Sequence, residues 1–297
     1  MRRLTTVDLM LAATVVIWAF NITVTKYVLT HGFRPLAYAS IRYTGAVLLT
    51  AALAVVLEGS LSVGGRRTLG LLGLAAVMLF LNQLAFVYSL KLTTGTTVAL
   101  IIGTTPAFTG LFSFAVGLER PERRFWVGAL VTFAGVALVA VGTGGGLSSH
   151  LGGELLAIGL AASWSVYSVT IAPLMREYSP LRISAVVLLA MCLPLLGVAG
   201  PQLGSQDYGL GWLVWMALAF AIVGPLTLTN LLWFTAIDRV GPSRATLFGN
   251  LQPFVAALFA YLILSEHIER LQIAGGALIL LGIVLERTRS GAAVPVE

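Results

Sequence analysis

Apolar stretches of about twenty residues follow one another along the whole of this 297-residue chain, separated by short polar breaks. A helix of that length crosses a hydrocarbon core of roughly 30 Å. Only 10% of the residues are charged and 58% are hydrophobic, whereas soluble globular chains carry about 25% charge. Such a chain cannot coat a water-facing surface. It is expected to be an all-α integral membrane protein with ten transmembrane helices, near 7–29, 35–57, 68–89, 93–116, 124–143, 151–173, 181–200, 210–233, 243–264 and 269–287. The start, Met1-Arg2-Arg3, resembles the basic end of a secretion signal, but the apolar run behind it reaches Tyr27. That is too long for a cleaved signal and reads as an uncleaved first span.

The chain contains one stretch twice. Shifted by 147 positions without a gap, residues 100–138 lie on 247–285. Pro106 falls on Pro253, Glu119 on Glu266, Glu122-Arg123 on Glu269-Arg270, Gly128 on Gly275 and Gly135 on Gly282. Shared leucines mean little in so apolar a chain, but shared Pro, Glu, Glu-Arg and paired Gly in one register indicate duplication. Two halves follow, 1–146 and 147–297, with the seam at 143–150. Each half holds five spans, an odd number, so the second copy is expected upside down. Inverted repeats are the usual build of alternating-access carriers, with cargo near the midplane at the repeat interface. Duplication can also build a channel.

Orientation follows from the basic residues of the short loops. With the N-terminus inside, the inner loops and ends hold thirteen Arg, while the outer loops hold Arg34, Lys91 and Arg270. Lys26 and Arg42 lie in the outer halves of spans one and two. Both termini are therefore expected in the cytoplasm, with the chain in the inner membrane. The net charge of +6 is spread over these loops rather than gathered in a patch, which argues for topology and against nucleic acid. Cys192 is the single cysteine, so no internal disulfide is possible. His31, His150 and His267 sit singly, and no metal spacing or nucleophile–base set is present. An enzyme and a cofactor are not expected. The partners are the bilayer and a small-molecule cargo, with the chain a monomer or homodimer.

The whole pattern resembles the drug/metabolite transporter superfamily, EamA type. The likeness rests on ten spans in two halves and on the closing pattern Pro106 to Leu118-Glu119 then Gly128 to Gly135, repeated as Pro253 to Ser265-Glu266 then Gly275 to Gly282. Trp18-Ala19-Phe20-Asn21 and Trp164-Ser165-Val166-Tyr167 match early in each half. The overall look is closest to bacterial amino-acid exporters of the YddG type, and the resemblance implies export of a small metabolite. Cationic-drug export is the alternative within the same superfamily.

Several polar and aromatic residues sit where lipid cannot satisfy them. Trp18 and Asn21 share a face of span one, and Trp164, Tyr167 and Ser168 repeat the geometry in span six. Asn82, Gln83 and Phe86 of span three correspond to Thr229, Asn230 and Trp233 of span eight. Buried amides need partners, supplied by neighbouring helices or by cargo. The aromatic rings of Trp18, Phe86, Trp164, Tyr167 and Trp233 are expected to hold the cargo's body, and Asn21, Asn82 and Asn230 to offer hydrogen bonds. Pro106 and Pro253 fall mid-span, each removing a backbone donor, and are candidates for a gate or a fixed kink. Arg42 lies roughly 10 Å below the start of its span at 1.5 Å per residue. An ionised group at that depth needs a partner or a wet cavity, and a cargo carboxylate would suit it. Lys26, nearer its span's end, reads as a snorkelling side chain. Glu119 and Glu266 read as structural, pairing with Arg123 and Arg270. No acid lies near a span centre, so a carboxylate proton relay has no seat.

Overall fold

A computed structural model describes residues 5–117, 123–142, 150–229, 232–233, 235–236, 249 and 251–287. These residues form helices α1 (Thr6–Thr30), α2 (Pro35–Glu58), α3 (Arg66–Leu92), α4 (Gly95–Ile102), α5 (Thr105–Ala115) and α6 (Arg123–Val141) of the first half. The second half supplies α7 (Leu151–Ile171), α8 (Pro180–Gly204), α9 (Trp212–Val223), α10 (Gln252–Leu264) and α11 (Arg270–Arg287). Among the described residues all regular structure is helical, and six segments are long and apolar enough to cross a membrane. One of these, Gly95–Ala115, joins α4 and α5, while Trp212–Leu228, Gln252–Leu264 and Arg270–Gly282 are shorter apolar helices.

The helix ends carry their own signals. Thr5 and Asp8 form a reciprocal capping box at the start of α1. Pro35 and Pro180 open α2 and α8, where a missing N–H costs nothing. Gly59, at φ 71°, ends α2 in the left-handed conformation. The side chains outside these signals are apolar around much of each helix: Leu48 and Val56 are 66% and 80% exposed on α2, as a lipid-facing surface requires.

Two pairs of counterpart helices, α6–α11 and α2–α8, pack on one another, and they do so antiparallel. In the α6–α11 pair a methyl group on Gly135 would lie 2.7 Å from the Gly275 carbonyl oxygen. One on Gly275 would lie 2.6 Å from the Gly135 carbonyl, and one on Gly282 would lie 2.6 Å from that of Gly128 and overlap Thr132 Oγ1. At the far end Gly142 meets Gln272. The numbers rise on one helix as they fall on the other. The spaced glycines thus remove every Cβ that would hold the two backbones apart. The α2–α8 pair has the same sense. Gln206 and Gln202 side chains accept from the backbone N–H groups of Arg34 and Leu36 at 2.7 and 2.8 Å, capping α2. Glu58 pairs with Arg182 at 3.3 Å at the opposite end. Antiparallel counterparts are what an inverted copy produces.

Three expectations change. The fourth span is not one continuous helix: α4 stops at Ile102 and α5 restarts at Thr105, one residue before Pro106. Lys26 does not snorkel. Its ammonium donates to the carbonyls of Leu90 and Thr93, 2.7 Å each, and so caps the C-terminal end of α3. Exposed carbonyls and the negative end of the helix dipole draw it inward. Glu266 is structural but does not reach Arg270. Its carboxylate accepts from the N–H groups of Gly95 and Thr96, at 2.8 and 2.9 Å, and from the Thr96 hydroxyl. An acid at a helix N-terminus satisfies orphan donors more fully than an exposed i,i+4 pair. It also pins the second half to the first. Glu119 lies outside the described residues.

Candidate functional site

Arg42 is the centre of a buried polar cluster. It is 3% exposed, on the face of α2 that also buries Tyr38, Ala39 and Ala46. Its guanidinium carbon lies 5.1 Å from the ring centre of Tyr43, 5.4 Å from Phe86 and 5.5 Å from Tyr38. Three aromatic faces within about 6 Å stabilise a desolvated cation, but a ring accepts no strong hydrogen bond. Nη2 donates to Gln83 Oε1 at 3.0 Å, whereas Nε and Nη1 have no partner. The Gln83 amide nitrogen is likewise buried and unpaired. Among the described residues no carboxylate bonds to Arg42. The cluster is therefore a set of spare donors around one fixed positive charge.

The first helix adds an acceptor at the same depth. Thr25 Oγ1 and the Tyr38 hydroxyl lie 3.0 Å apart and lock α1 against α2. Asn21 is one turn inward from Thr25, and Arg42 is one turn inward from Tyr38, about 6 Å along each axis. Asn21 is buried, and its Oδ1 has no partner. A donor-rich end and a lone acceptor thus face the same level of the bundle.

Aromatic walls continue the cluster. Trp164 and Tyr167 have ring centres 5.3 Å apart on α7, and Tyr167 belongs to the same buried core as Tyr43. Trp164 is 39% exposed, although Leu160, Tyr167 and Ile171 on the same face of α7 are buried. Side chains three, four and seven residues apart share a face, so the partly exposed indole stands on a face of α7 that is otherwise buried. On the other side Trp18 donates from Nε1 to Thr229 Oγ1 at 2.8 Å, and its ring sits 5.1 Å from that of Trp233. The Thr229 hydroxyl donates in turn to the Pro225 carbonyl at 2.7 Å.

That carbonyl belongs to a feature the sequence reading passed over. Residues Gly224–Leu228 form a π-helical turn continuing α9. Pro225 has no N–H to give, so the turn widens and leaves carbonyls free for side chains. The mid-span Gly224-Pro225 pair was the available signal. Tyr38 and Tyr43 were also passed over; Tyr38 stands one turn from Arg42 and Tyr43 directly beside it. Gln83 could be seen as a buried amide, but nothing local tied it to an arginine 41 positions earlier.

The other expected residues fall as follows. Asn82 is buried but donates to the Leu160 carbonyl at 2.8 Å and the Ser163 hydroxyl at 3.3 Å. Both bonds tie α3 to α7. Pro106 and Pro253 each stand second in their helices, α5 and α10. Asn230 lies outside the described residues. Among the described residues no cluster of metal-ligating side chains occurs.

Comparison with known proteins agrees with this architecture. The chain matches the EamA-like transporter family over residues 5–141 and again over 151–287. An uncharacterized transporter of Archaeoglobus fulgidus is 25% identical across 93% of this chain and 97% of that protein. YetK, an uncharacterized transporter of Bacillus subtilis, is 26% identical over 69% of this chain, which spans 63% of YetK. A probable terminal-alkyne amino-acid exporter of Streptantibioticus cattleyicolor is 26% identical over 65% of this chain and 64% of that protein. A protein of known crystal structure superposes with a TM-score of 0.65 at 19% identity, over 96% of this chain and 99% of the other. With two family matches in tandem, one on each half, the chain is a multi-pass membrane transporter and belongs to the EamA-like transporter family.

Proposed function

We propose that the protein is a ten-span carrier of the bacterial inner membrane, built as two inverted five-helix halves, 1–146 and 147–297, that exports a small metabolite by alternating access. The favoured cargo is an amino acid with an aromatic or other neutral side chain. The observation that carries this reading is the buried Arg42 guanidinium, ringed by aromatic faces and holding two unpaired nitrogens. A carboxylate fits those nitrogens in a planar, paired fashion. The Asn21 Oδ1 supplies an acceptor for an ammonium group, and the Trp18 and Trp164 rings supply apolar walls. The amino-acid exporter among the relatives supports the cargo class. Phe86 belongs to the arginine's cradle, and Pro106 stands beside a break in span four that would let its inner half tilt. The counterpart region around Pro253 would do the same in span nine. Both termini face the cytoplasm in this scheme, the arrangement that leaves thirteen basic residues on the inner side.

Counterflow in proteoliposomes tests the reading. Labelled amino acid should accumulate in vesicles preloaded with the unlabelled compound. The free carboxylate should compete and its amide should not. Arg42→Ala should weaken competition by about tenfold or more, the loss of one charge-assisted pair. Uptake of cationic dyes without any amino-acid exchange would move the protein to drug export and end the amino-acid reading.

A further inference from the structure

A carrier must cross its occluded state in both directions, and the cluster around Arg42 sets the terms for the empty passage. The guanidinium is permanently charged and 3% exposed. Its neighbours offer ring faces, the Tyr38 and Tyr43 hydroxyls and one amide oxygen, and no described carboxylate bonds to it. Glu266, a described carboxylate of the second half, is occupied in capping α4 and is not free to neutralise the site as the helices move. A buried charge without its partner is costly, whereas the same charge in a good pair is tolerated. Among the described residues the cluster thus has no internal counter-ion, and a carboxylate carried in from solution would supply one.

We propose that the Arg42–Gln83 cradle makes this protein an exchanger: a carboxylate must occupy the site for the carrier to reorient in either direction, so outward cargo is matched by an inward carboxylate. The inference rests on the carboxylate reading of Arg42 given above. Gln83 is part of the device. Its oxygen holds Nη2 and fixes the plane of the guanidinium, while its unpaired amide nitrogen gives the carboxylate a third donor. The Asn21 oxygen at the same depth takes an ammonium group when the carboxylate belongs to an amino acid. A proton-driven carrier would instead discharge its site by protonating an acid, and the cradle contains none.

The experiment compares uptake of a labelled amino acid into two sets of vesicles carrying the same protein. One set is preloaded with the unlabelled amino acid and the other contains only impermeant sulfate. Exchange requires initial uptake into the loaded vesicles to exceed that into the sulfate vesicles by about tenfold or more, the penalty of reorienting with an unpaired buried charge. Equal rates would overturn the exchange claim and leave the amino-acid carrier intact. Absence of amino-acid uptake from both sets would overturn the cargo reading and the exchange claim with it. A binding measurement separates the guanidinium from folding effects. The detergent-solubilised wild type should gain melting temperature with the amino acid and not with its amide. Arg42→Gln should start with an equal or higher melting temperature and show no such gain. A gain that survives Arg42→Gln would place the carboxylate elsewhere and remove the physical cause of exchange.

Discussion

Single side chains in this protein divide by whether their polar atoms are already satisfied. Asn82 gives its hydrogens to Leu160 and Ser163, so replacing it should loosen the α3–α7 contact. Asn82→Ala is expected to lower stability by about 1–3 kcal/mol, since it deletes two buried hydrogen bonds worth roughly 0.5–1.5 kcal/mol each, while transport per folded molecule stays near wild type. A melting curve alongside specific flux checks both parts. Trp18 is satisfied too, by the Thr229 hydroxyl. Trp18→Phe keeps an aromatic wall but deletes the bond to Thr229, and the net value of such a bond is about 0.5–1.5 kcal/mol. The π-helical turn should then relax, which shows as a changed transport rate with little change in the half-saturating concentration. Lys26→Met removes a charged cap from α3 and should cost about 1–3 kcal/mol of stability, measured as a lower melting temperature. A residue that only snorkelled would tolerate the change.

Among whole elements, the glycine-faced α6–α11 pair is the most sharply constrained. Gly135→Val puts atoms where the Gly275 backbone already sits, 2.7 Å from the position of the first added carbon. Backbone cannot yield as a flexible side chain can, so the loss should reach at least the roughly 1–3 kcal/mol typical of overpacking and show as poor folded yield. Gly197→Ala on α8 is the control. Nothing lies within 4 Å of its added methyl, and Ala favours a helix over Gly by about 1 kcal/mol, so yield should hold or rise. The π turn at Gly224–Leu228 is a second constrained element. It forms because Pro225 cannot complete the α-helical ladder, and it offers the Pro225 carbonyl to both Trp18 and Thr229.

For the molecule as a whole, two halves meet through two counterpart pairs, α2–α8 and α6–α11, through other packed pairs such as α3–α7 and α1–α10, and through crossed caps. Glu266 of the second half holds the start of α4, and Gln202 and Gln206 hold the start of α2. These bonds sit at helix ends, where a rocking motion would break or remake them without unpacking the glycine seam. Energy coupling belongs to this scale too. With no acid in the cradle, dissipating a proton gradient across loaded vesicles should leave exchange unchanged, and a strong dependence on that gradient would point to a titrating group elsewhere.

The sequence by itself determined the class of molecule. Apolar length, scarce charge and the 147-residue repeat leave a helical membrane bundle in two copies, because the bilayer admits few other solutions. It also marked Arg42 as anomalous, since a charge at that depth is expensive wherever it points. Paired glycines one heptad apart announced close packing. What tertiary structure decided was partnership. Whether an amide is glue or site depends on what lies across from it: Asn82 met α7, while Gln83, one residue on, met Arg42. Lys26 looked like a snorkeller because its helix end was visible and the α3 carbonyls 64 and 67 positions away were not. Glu266 looked paired with Arg270 for the same reason. Periodicity and spacing report on one helix at a time, and the choice among hydrogen-bond partners is made between helices brought together only by the fold.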